Sequence, residues 1–333
     1  MVCKSCLMLE LKFDVKLLGT ENQSKKENIV QHLKRGGYWV NAEGDIVRIK
    51  ESGVREFLDF CRDFMDMDNV VYRIEDEEEW APITEIENVL EMSWIDEIIK
   101  KKLIVSYSQP IIDVHGEIYA YEILSRFQGP DGSLIYPFEV FNAARNRGRL
   151  YALDRQCRLA SVRYSAGISK KIFINFIPTS IYSPEFCLRS TVQLANELGM
   201  NPTQFIFEVV ESDKVDDIDH LRGILAYYRE RGFQYALDDA GEGYSTLEML
   251  TDLKPQYMKL DMKYVQGVAT DIEKQRVANV FLERALEVGA IPLAEGVETV
   301  EDFEWLKQTG YQLFQGYLFG KPSAEIQRKV HIA

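Results

Sequence analysis

The chain has few cysteines, few histidines and no long apolar run. Each of these shortages excludes a class of protein or of metal site. Its 333 residues include five cysteines, an odd and scattered set that favours a reducing cytoplasm over a disulfide framework. No stretch approaches the roughly 18 consecutive apolar residues of a membrane span. The first residues show no basic stretch followed by an apolar one, so the sequence predicts a cytoplasmic protein without a signal peptide.

Basic charge is also scarce. The formal net charge is −14, and residues 1–97 hold 12 Lys and Arg against 22 Asp and Glu. Residues 98–333 hold 27 against 31. Proteins that bind nucleic-acid polymers need a basic surface. The scarcity of basic charge in both parts of this chain therefore excludes nucleic-acid polymers as partners. An anionic substrate would therefore depend on local cations, above all on bound metal ions.

Residues 1–97 have the pattern of a small acidic α+β domain. Strand-like runs, a hairpin across residues 41–44 and an amphipathic helix from Val54 alternate within it. A single helix over residues 85–102 is predicted to join this part to the next. Cys3 and Cys6 have half of the ligand spacing of a zinc ribbon, but no second pair follows, so a zinc site is not favoured. We predict a regulatory or partner-binding domain whose signal or partner the sequence does not specify.

Residues 98–333 contain short apolar runs that end on polar residues and alternate with helical stretches. The runs end at Asn175, Glu208, Asp238 and Asp239, Lys259, Glu295, and Gln315. Such alternation predicts buried parallel strands joined by crossover helices, with their carboxyl ends at one face. The first two strands, around residues 103–112 and 117–127, form a hairpin and must be antiparallel. A (β/α)8 barrel entered by an antiparallel strand is predicted, with an open doubly wound sheet as the alternative.

The polar residues at these strand ends suit one kind of chemistry. Carboxylate and amide oxygens are ligands for hard divalent cations, and no histidine cluster points to zinc. A lysine at the same face adds a fixed positive charge. The pattern indicates a metal-dependent phosphoryl-transfer site.

The motifs resemble those of one family, the EAL domain family. The segment Glu122 to Arg126 reads EILSR and resembles the signature E-A-L-x-R. Further blocks follow in the family's order: INFIP, EVVE, DDAGEGYSTLEML, KLD, AEGVET and FQGYLFGKP. With SQP at residues 108–110, they cover about residues 98–323. The order and spacing of all eight make the resemblance specific.

The resemblance implies a cyclic di-GMP phosphodiesterase, on a modified TIM barrel, that uses two Mg²⁺ or Mn²⁺ ions and yields linear pGpG. A first ion would be held by Glu122, Asn175, Glu208 and Asp238. A second would be held or oriented by Asp238, Asp239 and Glu295. Two ions about 3.5–4 Å apart can activate a water and clamp the attacking and leaving oxygens.

The resemblance also implies roles beyond the metal ligands. Lys259 and Glu295 are both candidates for the general base. Gln109, Arg126 and Gln315 would bind substrate, and the supporting residues are Glu211, Asp261 and Glu298. Asp261 would orient Lys259. The loop containing Gly241 and Gly243 would couple metal binding to a homodimer formed through the barrel.

Several positions depart from the family pattern. Ile123, Ile177, Val210, Ala240 and Glu242 replace the residues expected there, but no expected metal ligand is missing. We expect activity that is low or tightly regulated. The alternative is a domain that keeps the fold as a cyclic di-GMP receptor or protein-interaction module.

Overall fold

The structure is a computed structural model, and it describes residues 9–129, 131–181, 183–209, 218–238, 250–251 and 253–330. The chain divides into two compact units. The first contains residues 1–103, 129–131 and 135–153, and the second contains residues 104–128, 132–134 and 154–333. Residues 135–153 thus group with the first unit, and the domain boundary after residue 97 remains a prediction.

An antiparallel sheet forms the base of the first unit. Its strands are Lys12–Leu17 (β1), Val40–Glu43 (β2), Ile46–Lys50 (β3), Val70–Ile74 (β4) and Ala81–Pro82 (β5). They lie in the order β2-β3-β1-β4-β5. Along β1, Phe13, Val15 and Leu17 are buried while the residues between them face the other side of the sheet. This alternation of period two gives the sheet one apolar face.

Helices complete the first unit and cover that face. Phe57, Leu58 and Cys61 of one amphipathic helix join the core cluster of the sheet. The helices are Gly19–Ser24, Lys26–Arg35, Val54–Phe64, Ile86–Glu91, Trp94–Lys101 and Pro137–Asn146. The sequence predicts a single helix over residues 85–102, but the structure has two, interrupted at Met92 and Ser93. The predicted small α+β region is confirmed.

Eight strands of the second half close into a barrel. They are Ile104–Asp113 (β6), Ile118–Gln128 (β7), Lys171–Phe176 (β9), Phe205–Val209 (β10), Gln234–Leu237 (β11), Tyr257–Leu260 (β12), Ile291–Ala294 (β13) and Leu313–Gln315 (β14). A two-residue strand, Leu134–Ile135 (β8), adds to the edge of β7. The order around the ring is β6-β14-β13-β12-β11-β10-β9-β7, and pairing of β6 with β7 closes it.

Strand β6 is the one that breaks the parallel pattern. It is antiparallel to both β14 and β7, whereas the pairs from β7 to β14 are parallel. The turn between β6 and β7 is too short for a crossover, so these two strands can pair only in opposite directions. The predicted modified TIM barrel is confirmed, and the open sheet is excluded.

Helices follow the barrel strands along the chain. They are Leu150–Tyr164, Pro184–Cys187, Arg189–Glu197, Ile218–Glu230, Met262–Val265, Ile272–Glu287 and Val300–Thr309. Among the described residues, none of the helices has the length and apolar content needed to cross a bilayer.

Candidate active site

A layer of apolar side chains fills the barrel and sets the position of the polar residues above it. The layer consists of Ile111, Ala120, Phe173, Ile206, Ala236, Tyr257, Leu293 and Leu313. Two positions after each of the last seven comes a polar residue: Glu122, Asn175, Glu208, Asp238, Lys259, Glu295 and Gln315. Side chains two apart share one face of a strand, so these residues form the next layer towards the carboxyl ends.

Gln109 enters the same layer from the antiparallel strand. It lies two residues before Ile111 and directly opposite Glu122 in the pairing of β6 with β7. Because β6 runs in the opposite direction, its residue nearer the amino end reaches the site. The structure therefore brings together eight of the predicted site residues.

Lys259 lies at the centre of the acidic half of this layer. Its Nζ is 2.7 Å from Oε1 of Glu208 and 3.6 Å from Oδ1 of Asp238, and it also contacts Oε1 of Glu295. The lysine is 1% exposed and Glu208 is fully buried. A buried ammonium of this kind persists only when carboxylates surround it.

Glu122 is the carboxylate of this layer that amide side chains hold. Its Oε1 accepts a hydrogen bond from Nδ2 of Asn175 at 2.7 Å, and its Oε2 accepts one from Nε2 of Gln315 at 2.6 Å. The same Nε2 is 3.0 Å from Oε1 of Gln109, whose own amide donates to the Gly320 carbonyl oxygen at 3.0 Å. Two amides thus hold the carboxylate directly, and Gln109 on a third strand holds one of them.

Burial and the neighbouring charges shift the pKa values of Glu208, Glu295 and Glu122 in different directions. Burial raises the pKa of Glu208 well above its usual range despite the opposing charge of Lys259. It also raises the pKa of Glu295, to about 8, with Lys259 opposing and Asp238 adding to the shift. Burial acts on Glu122 too, but Lys259, Gln315 and Asn175 outweigh it and lower the pKa.

These charges test whether the residues fit a divalent cation. Four carboxyl groups lie around the single ammonium of Lys259, so the site offers more carboxyl oxygens than this one cation can engage. Oε2 of Glu208 is buried and has no hydrogen-bond partner among the described residues. A buried carboxylate oxygen without a partner, in a layer rich in carboxyl and amide oxygens, fits a hard divalent cation. Such a cation would bind this oxygen and neutralise charge on the surrounding carboxylates.

Three other predicted residues lie outside this layer. Arg126 is on β7, four residues beyond Glu122; its guanidinium is 5.5 Å from the Tyr107 ring and donates to the Ser125 carbonyl oxygen. Asp261 accepts from the Lys263 backbone N–H at 2.6 Å and so caps helix Met262–Val265. Glu298 is exposed and accepts from the amide of Gln266. Their predicted roles remain predictions.

The remaining predicted residues lie outside the described residues. These are Glu211, Asp239 and the loop with Gly241 and Gly243, together with Cys3 and Cys6.

One buried carboxylate near the site has no counterpart in the sequence prediction. Asp154 is 2% exposed and bonds to the turn that follows β9, the strand carrying Asn175. The signal in the sequence is an acid directly after the apolar run Tyr151-Ala152-Leu153, with Arg158 four residues later.

The family follows from comparison with known proteins. Residues 92–322 match the model of the EAL domain. The chain therefore belongs to the EAL domain family, as the motifs predict.

Curated relatives share this region and carry related names. The chain is 31% identical over 238 residues to "Probable cyclic di-GMP phosphodiesterase PdeG" of Escherichia coli K12, covering 68% of this chain and 47% of the relative. It is 27% identical over 245 residues to "Cyclic di-GMP phosphodiesterase PdeR" of the same organism, covering 71% and 37%. The match thus spans about half or less of each relative.

Solved structures share the barrel. A standalone versatile EAL protein from Vibrio cholerae O395, in its c-di-GMP-bound form, has 33% identity and a TM-score of 0.61, covering 68% of this chain and 95% of that one. The FimX EAL domain from Pseudomonas aeruginosa bound to c-di-GMP has 22% identity and a TM-score of 0.66, covering 73% and 99%. The second likeness is one of fold.

Proposed function

We propose that this protein hydrolyses one phosphodiester bond of cyclic di-GMP to give linear pGpG in a reaction that requires divalent cations. The observation that carries the proposal is the convergence of four carboxyl groups, one asparagine and a buried lysine at the carboxyl ends of the barrel strands. Two named relatives and a cyclic di-GMP-bound structure at 33% identity support the substrate.

Specific residues would hold the cations. Glu122, Asn175, Glu208 and Asp238 would bind a first Mg²⁺ or Mn²⁺, and Asp238 and Asp239 would bind a second, which Glu295 would orient. When bound, such cations supply charge neutralisation at the phosphate and activation of water.

Lys259 and Glu295 are the two candidate bases, and we favour Glu295. Surrounding carboxylates raise the pKa of Lys259 well above its usual value although burial acts to lower it, so the lysine holds its proton. The pKa of Glu295, about 8, lies nearer to neutrality, where a proton acceptor works best. Lys259 would then stabilise charge that develops on the phosphate.

The amide side would orient the nucleotide. Oε1 of Gln315 is buried and has no hydrogen-bond partner among the described residues, which leaves it as an acceptor for substrate or water. Gln109 holds Gln315 in place. Arg126, further along β7, would pair with a phosphate oxygen.

The direct test is incubation of the purified full chain with cyclic di-GMP and Mn²⁺ or Mg²⁺, with the nucleotides separated by chromatography. We expect pGpG to form, to stop forming in excess EDTA, and to be absent with Glu122→Gln, which keeps the side-chain shape but removes the charge. The absence of both turnover and cyclic di-GMP binding in the wild-type chain would refute the proposal.

One observation favours the alternative of a receptor without turnover. Lys259 bonds to Glu208 and Glu295, so it engages carboxylates that the cations would need. Within the described part of the chain, no three Asp, Glu, His or Cys side chains have the spacing of metal ligands. Cyclic di-GMP binding without pGpG at saturating Mn²⁺ would identify a receptor.

Assembly and location are parts of the same proposal. We propose a homodimer through the barrel, a cytoplasmic location and a separate partner or signal for residues 1–97. Light scattering after size-exclusion chromatography measures the mass of the assembly and so tests the proposed homodimer. The described cysteines, Cys61, Cys157 and Cys187, are free thiols, in accord with a reducing compartment.

A further inference from the structure

We infer that Asp154 is a positioning residue for the metal site: it holds the turn after β9 and thereby sets the direction of the Asn175 side chain. The inference rests on the proposed function, because it assigns Asn175 to a cation. It concerns a residue outside the layer of site residues and predicts an effect on metal affinity.

The carboxylate of Asp154 is fully engaged within the barrel unit. Its Oδ1 accepts a hydrogen bond from the Ile177 backbone N–H at 3.2 Å, and its Oδ2 accepts one from Oγ of Ser180 at 2.9 Å. Oδ2 also contacts Nη1 of Arg158, a side chain with no exposed surface. Asp154 itself is 2% exposed, so water does not compete for these bonds.

The turn that Asp154 holds begins immediately after the ligand strand. Strand β9 ends at Phe176, one residue after Asn175, and the turn Pro178–Ser180 follows. Proline has no N–H and restricts the residue before it to extended backbone, which is the conformation of Ile177. Ile177 is buried and lies beyond the end of β9, so its N–H needs an acceptor, which Asp154 supplies.

Asn175 depends on this anchoring because it lies near the free end of the strand. It pairs with Glu208 of β10 in the parallel register, and its amide donates to Glu122. Both neighbours are proposed ligands of the same cation. If the end of β9 shifts, the Asn175 oxygen and the Glu122 carboxylate move relative to each other. Partners that orient metal ligands in this way typically contribute 10- to 100-fold in metal affinity.

A purely structural role must be separated from positioning, because Asp154 and Arg158 also form a buried ion pair. Replacing Arg158 removes the pair but leaves the bonds from Asp154 to Ile177 and Ser180. Replacing both residues removes the charge and weakens the hold on the turn. Arg158 is thus a control on the same helix, also buried, whose hydrogen bond among the described residues is to Asp154 and not to the turn.

The experiment measures Mn²⁺ binding to the full chain by calorimetry without nucleotide, together with the melting temperature, for Arg158→Met, Asp154→Asn/Arg158→Met and Ser180→Ala. We expect Arg158→Met to bind Mn²⁺ within about threefold of wild type. The double variant should bind at least about 10-fold more weakly. Ser180→Ala removes one of the two hydrogen bonds between Asp154 and the turn and should lower the Mn²⁺ affinity by a smaller factor. This variant keeps the test available if the double variant does not fold.

A second readout does not depend on metal. In ¹⁵N-asparagine-labelled protein, the Asn175 side-chain amide, assigned with Asn175→Asp, should shift in the double variant and in Ser180→Ala but not in Arg158→Met. If wild type binds no Mn²⁺, the metal proposal fails, and this spectrum alone decides the positioning inference. An unchanged Asn175 signal in folded variants, or equal Mn²⁺ loss in Arg158→Met, overturns it.

Discussion

At the scale of single residues, Lys259 is the side chain on which the charge balance of the site depends. Its ammonium is in direct contact with Glu208, Asp238 and Glu295. A lysine with no water around it can act on a substrate only through its charge or its proton. In the proposed reaction, both would act on the reacting phosphate and not on the guanine bases.

Lys259→Met should therefore lower kcat much more than it weakens nucleotide binding. We expect a loss of at least about 100-fold in kcat, the lower end for an acid–base or electrostatic group, with the cyclic di-GMP Kd changed less than about fivefold. Steady-state kinetics and calorimetry in Ca²⁺ measure the two quantities.

Lys171→Met is the matched control, because Lys171 begins β9 at the opposite end of the barrel and bonds to Gln234 and the Thr203 carbonyl oxygen. Lys171→Met should leave kcat and the cyclic di-GMP Kd unchanged. Collapse of affinity with kcat retained in Lys259→Met would instead make Lys259 a clamp for the ground-state phosphate.

Asp14 is a second residue whose environment predicts a measurable effect. It is 1% exposed on β1, its Oδ1 accepts from Nε of Arg48 at 2.6 Å, and its Oδ2 accepts from Nη2 of Arg73 at 3.2 Å. Burial raises its pKa, but the hydrogen bonds and charges of the two arginines outweigh burial and lower it. Because the pKa of Asp14 is lower in the folded than in the unfolded chain, Asp14 stabilises the fold at pH values above its unfolded pKa. This contribution is lost as the pH falls through the folded pKa.

Asp14→Asn should lower the free energy of unfolding by about 1–2 kcal/mol at pH 7, because both arginines remain partly solvated. Below about pH 4, where Asp14 of the unfolded wild type begins to take up a proton, the difference should start to shrink, and it should vanish once the pH is below the lowered folded pKa. Urea unfolding at the two pH values measures it. Asp45→Asn, an exposed partner of Lys16 at 3.5 Å, is the control and should change stability by less than about 0.5 kcal/mol. A pH-independent difference would contradict the assigned cause.

At the scale of elements, the end of β14 and the loop after β13 are locked together at Gly316. The Val297 N–H donates to the Gln315 carbonyl oxygen at 3.0 Å, and the Leu318 N–H donates to the Val297 carbonyl oxygen at 3.1 Å. A Cβ on Gly316 would overlap the Val297 backbone. This contact keeps Glu295 and Gln315, at the ends of neighbouring strands, in fixed relation.

Gly316→Ala should therefore destabilise the protein by about 1–3 kcal/mol, as overpacking does, and weaken cyclic di-GMP binding through Gln315. Thermal melting should show a loss of at least about 5 °C. Gly223→Ala is the control: the helix Ile218–Glu230 has open space there, so alanine should be neutral or stabilising. A Gly316→Ala protein with wild-type stability would contradict the close approach.

At the scale of the whole molecule, residues 135–153 make the predicted domain boundary testable. Arg147 is 1% exposed, and its Nη2 bonds to Glu51 at 2.8 Å and Asp96 at 2.9 Å. Nη1 donates to the Val89 carbonyl oxygen at 2.8 Å, and Arg149 bonds to Asp96 at 3.0 Å. All of these partners precede residue 98, so a fragment 98–333 would lack them.

We expect the fragment 98–333 to keep Mn²⁺ binding, because the described site residues all follow residue 103. Residues 137–149 of the fragment should exchange amide hydrogens faster than in the full chain, having lost buried ion pairs whose disruption costs about 3–5 kcal/mol. Hydrogen-exchange mass spectrometry measures this. Glu51→Gln/Asp96→Asn in the full chain should reproduce the faster exchange.

The same fragment tests the proposed regulatory role of residues 1–97. A folded fragment with unchanged exchange, kinetics and oligomeric state would contradict that role. A fragment that loses the metal site would show that the first 97 residues are part of the catalytic fold.

Much of the barrel could be predicted because its signals are local. Apolar runs that end on Asn175, Glu208, Asp238 and Glu295 are short segments with one polar residue at the carboxyl end, and parallel strands bring those ends together. The tight β6–β7 connection required an antiparallel pair. Helix boundaries were less accessible: the interruption at Met92 and Ser93 has neither proline nor glycine to announce it.

The sequence by itself determined which residues face the barrel interior, because strand side chains repeat every two positions and this period is written in the order of residues. Tertiary structure alone decided which of them touch. The contacts of Lys259 with Glu208 and Glu295, and of Asp154 with Ile177 and Ser180, join residues 20 or more positions apart. Such contacts depend on how strands and helices pack in three dimensions, and no local period encodes that packing.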